Sequence, residues 1–263
     1  MLSSLSIRLT GQTKAQARLN AVASYDQSNA LFRAFLSKEM MYSCALWSDE
    51  EGGPCGDLER EVLTIENNAV NADGEKSQPQ IEVRTRVRVP TPDLGLEAAQ
   101  QRKIHYVLKK ARCHLLKPGS RLLEFGSGWG GLAIQAASTY PIHVTSLTLS
   151  QEQKTLAEER VRALGLQDRV EVHLMDYREM PAEWEGTFDA FVSIEMVEHV
   201  GTKVSLGYFE SLGACAYVCL KKHYETYFGC IDWALKKGEA AAVVTSSTFP
   251  ESRYSGYQYV TVI

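Results

Sequence analysis

The sequence lacks paired cysteines, long apolar runs and a strong charge of either sign. Its six cysteines are scattered without a CxxC pair, which disfavours a disulfide or zinc framework and predicts reduced thiols in a cytoplasmic protein without a bound metal. No run approaches the roughly 18 apolar residues of a membrane span, so contact with membranes is expected to be peripheral. A net charge of −4 gives no general attraction to nucleic acid, and no nucleic-acid partner is predicted.

The N-terminus also lacks acidic side chains. Arg8, Lys14 and Arg18 precede the first acid, Asp26. Basic residues without acids are typical of organellar transit peptides, so mitochondrial targeting is an alternative to a cytoplasmic location. An amphipathic first helix is the simpler interpretation.

A second helix is predicted over residues 28–41. Apolar side chains recur there at helical spacing, which predicts one buried face. These side chains are Leu31, Phe32, Phe35 and Leu36.

The region that follows is polar. Within residues 48–80, the stretches "EEGGPCGD" (50–57) and "NNAVNADGEKSQPQ" (67–80) predict loop or disorder, with mobility expected over 65–80. The stretch "IEVRTRVRV" at 81–89 alternates like an exposed strand whose arginines face water. A face for lipid headgroups or nucleic acid is the alternative interpretation of these arginines.

From residue 96 onward, strands and helices alternate regularly. Helices are predicted at 96–115, 129–140 and 150–165, and strands at 120–126, 142–149, 169–176 and 188–195. This order predicts an α/β fold with a doubly wound, Rossmann-like parallel sheet, in which ligands lie beyond the carboxyl ends of the strands. We expect an N-terminal helical segment over 1–95, with a polar insertion at about 48–92, and a core domain over 96–263.

A glycine-rich loop joins the first core strand to the next helix. In "LLEFGSGWGGLAI" (122–134) the glycines satisfy GxGxxG, which brings a cofactor close to the main chain. Glycines retained only for packing helix against strand are the alternative.

The second core strand distinguishes between two cofactors. A nicotinamide dinucleotide calls for an acid about 20 residues after the glycines, yet residues 146–150 are "SLTLS". Glu124 instead precedes the loop directly, and its carboxylate favours a cationic sulfonium. The pattern therefore favours S-adenosylmethionine.

Six stretches carry a resemblance to one family. They are "SYDQSNALFRAFLS", "MYSCALW", "LLEFGSGWGGLA", "VTSLTLSQEQ", "LMDYREM" and "FDAFVSIEMVEHVG". In this order they resemble the cyclopropane-fatty-acid synthase family of S-adenosylmethionine-dependent methyltransferases, with "VVTSSTFPESRY" in the style of fungal members. The resemblance covers about 20–47, 96–201 and 222–258.

The resemblance implies a set of site residues. The cofactor residues would be Tyr42 and Ser43 closing over it, Gly126, Gly128 and Gly130 near its methionyl and ribose parts, Thr148, Leu149 and Gln153 along the adenosine, and Asp176 and Tyr177 flanking the adenine. Cys44, through its backbone, and Glu198, through its carboxylate, would be the catalytic residues that hold a bicarbonate ion. His199 is interpreted as structural.

The resemblance also implies a reaction. A cis double bond of an unsaturated phospholipid acyl chain attacks the sulfonium methyl group, bicarbonate removes a proton from the new methyl, and a cyclopropane ring closes. A branched methyl product starts from the same carbocation. The protein must exclude water, because water would trap that cation.

Several positions depart from the family pattern. Ser24 stands where relatives usually have histidine, and Thr245 stands where many have histidine or glutamine. The segments 58–92 and 202–221 resemble insertions. The sequence ends at Ile263, where the family continues, and weak lipid methylation is the expectation for this chain. The alternatives are an impaired member that only binds the cofactor or a partner, and a methyltransferase for another small molecule. The sequence makes no prediction of oligomeric state.

Overall fold

Five parallel strands form the main sheet of the computed structural model, which describes residues 13–48, 58–65, 80–87, 95–200 and 213–246. Side chains are described in these ranges except within 58–65, 80–87 and 213–221. The strands are β1 (Leu58–Ile65), β2 (Gln80–Val87), β3 (Arg121–Phe125), β4 (His143–Thr148), β5 (Val170–Leu174), β6 (Ala190–Ile194) and β7 (Ala241–Thr245). The helices are α1 (Lys14–Tyr25), α2 (Asn29–Arg33), α3 (Leu96–Lys110), α4 (Gly131–Thr139), α5 (Gln151–Ala163) and α6 (Gly213–Ala234).

The main sheet has the order β5-β4-β3-β6-β7. All four strand pairs are parallel, with Glu124 of β3 opposite Ser146 of β4 and Val192 of β6. The chain therefore reverses direction across the sheet after β5, and β3 lies at the point where the order switches. The predicted doubly wound α/β fold is confirmed, and open sheets of this kind bind ligands at such a switch point.

Both faces of the sheet are buried, as a doubly wound sheet requires. Leu122 belongs to one apolar cluster, which includes side chains from α3, α4 and α5. The next residue, Leu123, belongs to a second cluster that includes Tyr227 and Ile231 of α6. Successive strand residues point to opposite faces, so β3 contributes to both cores at once.

The predicted helix over 28–41 is wrong in its length. Only α2, residues Asn29–Arg33, is helical, with the Ser28 side chain accepting a hydrogen bond from Leu31 N–H as its N-cap. The carbonyl groups of Lys38 and Glu39 instead accept hydrogen bonds from Arg160, which draws the chain out of a helical path.

The predicted buried face of that helix is correspondingly incomplete. Phe32 is buried and Leu36 is partly buried, whereas Leu31 and Phe35 are each 52% exposed. A five-residue helix buries fewer side chains than the helix of about four turns that the spacing predicted.

The polar region over 48–80 contains a strand that the sequence analysis did not predict, β1, which lies between the two predicted loops. β1 pairs with β2 in an antiparallel register that places Glu59 opposite Arg86 and Glu61 opposite Arg84. The prediction that the arginines of β2 face water concerns side chains outside the described part of the chain. The predicted mobility over 65–80 concerns residues 66–79, which also lie outside it.

The chain divides into two compact units, Met1–Cys44 with Ile104–Ile263, and Ala45–Lys103. The first contains the main sheet and the second contains β1 and β2. Within the described residues, no helix combines the length and the apolar character that crossing a membrane requires.

Candidate functional site

The loop between β3 and α4 folds back onto the end of β4. The N–H groups of Gly126 and Ser127 donate hydrogen bonds to the Leu147 carbonyl at 3.0 and 2.9 Å. Gly126 and Gly128 have φ values of 87° and 47°, in the left-handed region that glycine adopts without a steric cost. A Cβ added at Gly128 would meet no atom within 4 Å. This side of the loop is therefore open to a ligand.

The next two glycines serve packing. A Cβ at Gly130 would come within 3.1 Å of Ala157 Cβ in α5. A Cβ at Gly131 would overlap Met41 Sδ and lie 2.9 Å from the Glu39 carbonyl oxygen. The structure thus places Gly130 against α5, whereas the resemblance placed it beside the cofactor.

A cavity of about 570 Å³ lies beyond the carboxyl ends of β3, β4, β5 and β6. A volume of this size is typical of sites for small molecules and cofactors. Most of the site residues predicted from the sequence line it, and Cys44 and Gly130 do not. Those that line it are Tyr42, Ser43, Glu124, Gly126, Gly128, Thr148, Leu149, Gln153, Asp176, Tyr177 and Glu198.

Glu124 is a buried acid on the cavity wall. Its side chain is only 3% exposed, and its Oε2 accepts a hydrogen bond from Ser146 Oγ at 2.6 Å. The two residues are register partners on β3 and β4, which explains their contact. A carboxylate on the cavity wall attracts positive charge, so this wall favours a cationic ligand.

The end of β4 is organised by hydrogen bonds to α5. Thr148 Oγ1 donates to Gln153 Oε1 at 2.7 Å, and the Ser150 side chain caps α5 by accepting from Gln153 N–H at 3.1 Å. Ser150 Oγ also donates to the Asp26 carboxylate, which comes from the residue after α1. An acid thus stands near the end of β4, although no local sequence signal predicted it.

The turn after β5 carries an ion pair and an aromatic stack. Asp176, which is 1% exposed, accepts from Arg178 Nε at 2.8 Å and from its Nη2 at 2.7 Å. The ring of Tyr177 stacks on Phe125 with centroids 5.2 Å apart, and burial raises the pKa of Tyr177 to about 12. Tyr177 therefore stays neutral, and it presents an apolar ring surface to the cavity.

Residues 39–44, here called the strap, form another part of the wall. Met40, Met41, Tyr42 and Ser43 line the cavity. The strap begins where Arg160 Nη1 donates to the Glu39 carbonyl at 3.1 Å, and Met40 is buried against Trp129. Gly131 gives Met41 the space it occupies.

The strap ends at a contact with a carboxylate. Cys44 N–H donates to Glu195 Oε1 at 2.8 Å, across 151 positions of sequence. This amide is the group that the resemblance assigned to bicarbonate. Because the amide has a single proton, and Glu195 already accepts it, the residues present do not fit a bicarbonate ion at that position.

Glu198 and His199 lie in a short turn at the cavity rim. Both residues are exposed, and Tyr25 Oη lies 3.3 Å from His199 Nε2. Burial raises the pKa of Tyr25, and the charges of Tyr42 and Glu198 raise it further. His199, interpreted as structural from the sequence, therefore stands at the cavity in contact with a neutral phenol.

Three functional candidates escaped the sequence analysis: Glu195, Arg160 and Arg178. Glu195 had a signal, since it directly follows β6, and ligands lie beyond strand ends. Arg160 and Arg178 had none, because their partners depend on the folded arrangement. Within the described ranges, no group of three or more His, Cys, Asp or Glu side chains is placed to hold a metal ion.

Comparison with known proteins identifies a family. A family model described as mycolic acid cyclopropane synthetase matches residues 87–255. A tuberculostearic acid methyltransferase of Mycobacterium tuberculosis is 37% identical over 201 residues, which cover 76% of this chain and 37% of that protein. A cyclopropane-fatty-acyl-phospholipid synthase of Escherichia coli is 31% identical over 225 residues, or 86% of this chain and 40% of that protein.

More distant relatives extend the comparison. Sphingolipid C9-methyltransferase B of Emericella nidulans is 27% identical over 75% of this chain and 30% of its own length. A solved cyclopropane synthase of Mycobacterium tuberculosis has the same fold, with a TM-score of 0.59 and 20% identity over 94% of this chain and 62% of that chain. The chain spans less than half the length of the curated relatives named here.

Proposed function

Because the chain belongs to the mycolic acid cyclopropane synthetase family, we propose that it is an S-adenosylmethionine-dependent methyltransferase acting on the cis double bond of unsaturated phospholipid acyl chains. The observation that carries the proposal is the cavity between the strap and the strand ends, where a buried carboxylate and an open glycine loop meet. A cytoplasmic location with peripheral membrane contact is part of the proposal.

The cavity fits S-adenosylmethionine in size and charge. When bound, this cofactor supplies a methyl group on a positively charged sulfur. The Glu124 carboxylate provides negative charge on the wall, and Gly128 leaves its backbone accessible. Thr148 and Gln153 hold each other in place at the end of β4, and Tyr177 offers a ring face. Prearranged groups of this kind orient a ligand without reorganising.

Lipid chemistry is supported by both relatives and cavity. The names of the relatives refer to tuberculostearic acid, a fatty-acyl phospholipid and a sphingolipid. The cavity is bordered by apolar side chains from four parts of the chain, namely Met40, Met41, Phe125, Leu147, Ile194, Met196 and Val200. Such a lining suits an acyl chain and keeps water from a cationic intermediate.

Exposed apolar side chains near the strap support peripheral membrane contact. Leu31 and Phe35 are each 52% exposed, and Tyr42 is 57% exposed. Tyr42 also lines the cavity and its ring centroid is 6.0 Å from that of Phe35, so these two side chains lie close to the path an acyl chain would follow.

A second candidate function is cofactor binding without efficient lipid transfer. Cys44 and Glu198, the residues with the predicted catalytic roles, are both exposed to solvent. Proton removal beside a carbocation needs a base in an enclosed site without water, and these two residues are open to water.

Labelled methyl transfer tests the proposal. The purified chain is incubated with methyl-labelled S-adenosylmethionine and vesicles of monounsaturated or fully saturated phospholipid. We expect slow labelling of the monounsaturated acyl chains only, reduced about tenfold or more by Glu198→Gln, since general acid–base groups typically contribute 10²–10⁴-fold.

The matched control is Glu159→Gln, which changes an exposed glutamate of α5 outside the cavity. Equal labelling of saturated lipid would contradict the proposed substrate. No labelling despite measured cofactor binding would favour the second candidate.

A further inference from the structure

Glu195 is a carboxylate that the expected reaction does not use. It directly follows β6, it is half-buried, and it lines the cavity. Its Oε1 accepts the Cys44 N–H at 2.8 Å. A hydrogen bond to a charged acceptor is stronger than one to a neutral oxygen, so this contact fixes the end of the strap.

The backbone at Glu195 is strained. Its φ is 48°, in the left-handed region that side chains with a Cβ rarely adopt. The conformation is held from β7, since Glu195 N–H donates to the Thr245 carbonyl at 3.1 Å and lies 3.3 Å from its Oγ1. Strain that neighbouring contacts maintain is concentrated at functional sites, which points to a task for this residue.

The strap is therefore fixed at both ends by charged side chains. Arg160 binds the Glu39 carbonyl at its start, and Glu195 binds the Cys44 amide at its end. Tyr42 and Ser43, which line the cavity, lie between these contacts. The position of both cavity-lining residues thus depends on whether the Cys44 amide is bound.

A free anion would compete poorly for the same amide. The Cys44 N–H has one proton, and Glu195 accepts it at close range. Glu198 adds a second carboxylate to the same cavity. Like charges repel, so two resident carboxylates disfavour a further anion beside them.

From this geometry we propose that the Glu195 side chain supplies the anion that binds the Cys44 amide. Its carboxylate takes the place of a separate bicarbonate at the Cys44 amide and positions the strap over the cavity. Glu195 is thus a positioning residue, and wild-type closure of the strap does not depend on added bicarbonate. The effect on cofactor affinity rests on the proposed function, whereas the effect on the strap does not.

Hydrogen exchange and chemical rescue test this role. Exchange is measured over the peptide that covers 39–46, and S-adenosylmethionine affinity is measured by calorimetry, for wild type, Glu195→Ala, Glu195→Gln and the surface control Glu159→Ala. In Glu195→Ala we expect faster exchange and roughly tenfold weaker binding, from the loss of a charge-assisted hydrogen bond. Glu195→Gln retains an acceptor oxygen but loses the charge, so its exchange should be intermediate between that of wild type and that of Glu195→Ala.

Added small carboxylates provide the decisive comparison. Formate or bicarbonate should restore slow exchange in Glu195→Ala and leave wild type unchanged, which a purely structural side chain would not produce. Slower exchange in wild type on adding bicarbonate, or wild-type exchange in Glu195→Ala, would overturn the proposal. Rescue of exchange in a chain that binds no S-adenosylmethionine would uphold the role of Glu195 and reject the proposed function.

Discussion

Glu124→Gln is expected to weaken S-adenosylmethionine binding by at least about tenfold while the chain remains folded. The substitution keeps the size of the side chain and an acceptor for Ser146 Oγ, so it removes mainly the charge. Two opposite charges about 4 Å apart attract by about 4 kcal/mol at an effective dielectric constant of about 20. Desolvation offsets part of this attraction, and a tenfold change needs only about 1.4 kcal/mol.

Calorimetry measures this loss, and circular dichroism checks the fold. The control is Glu159→Gln, the same chemical change at an exposed position of α5 outside the cavity. Unchanged affinity in folded Glu124→Gln would show that the buried carboxylate does not face the ligand's charge.

Gly128→Ala is expected to reduce binding by a comparable factor or more. The added Cβ points into open space on the cavity side of the loop, where the ligand's atoms would approach the backbone. The new side chain also faces a positive φ of 47°, which destabilises the loop by about 1–2 kcal/mol.

Gly165→Ala separates these two effects. Gly165 has a φ of 67°, and a Cβ there would also meet no atom within 4 Å, yet Gly165 lies outside the cavity lining. Both variants should lose similar stability in thermal unfolding, and only Gly128→Ala should lose cofactor affinity. Equal affinity in the two variants would assign the loop a structural role.

Local patterns allowed the core of the fold to be predicted. Strands and helices alternate regularly around the glycine loop, and α5 has an N-cap that is visible in the sequence, Ser150. Predicted and observed bounds therefore agree closely for β3, β4 and α5. The contact of Glu124 with Ser146 was not predicted, and it results from the parallel register of β3 and β4.

Contacts between distant segments were not predictable in the same way. The short α2 results from Arg160 drawing on backbone carbonyls more than 100 positions away in sequence. Glu195 reaches Cys44 only because the strap crosses the end of β6. Residue spacing carries no signal for such contacts. The resemblance therefore assigned the Cys44 amide to bicarbonate, whereas in the folded chain this amide donates to the Glu195 carboxylate.

Calorimetric titration of the purified chain tests the central claim most directly. The account predicts saturable binding of S-adenosylmethionine and of its demethylated product S-adenosylhomocysteine, weakened by Glu124→Gln and Gly128→Ala, and no binding of NADH. Binding of NADH without a response to S-adenosylmethionine or S-adenosylhomocysteine would contradict it.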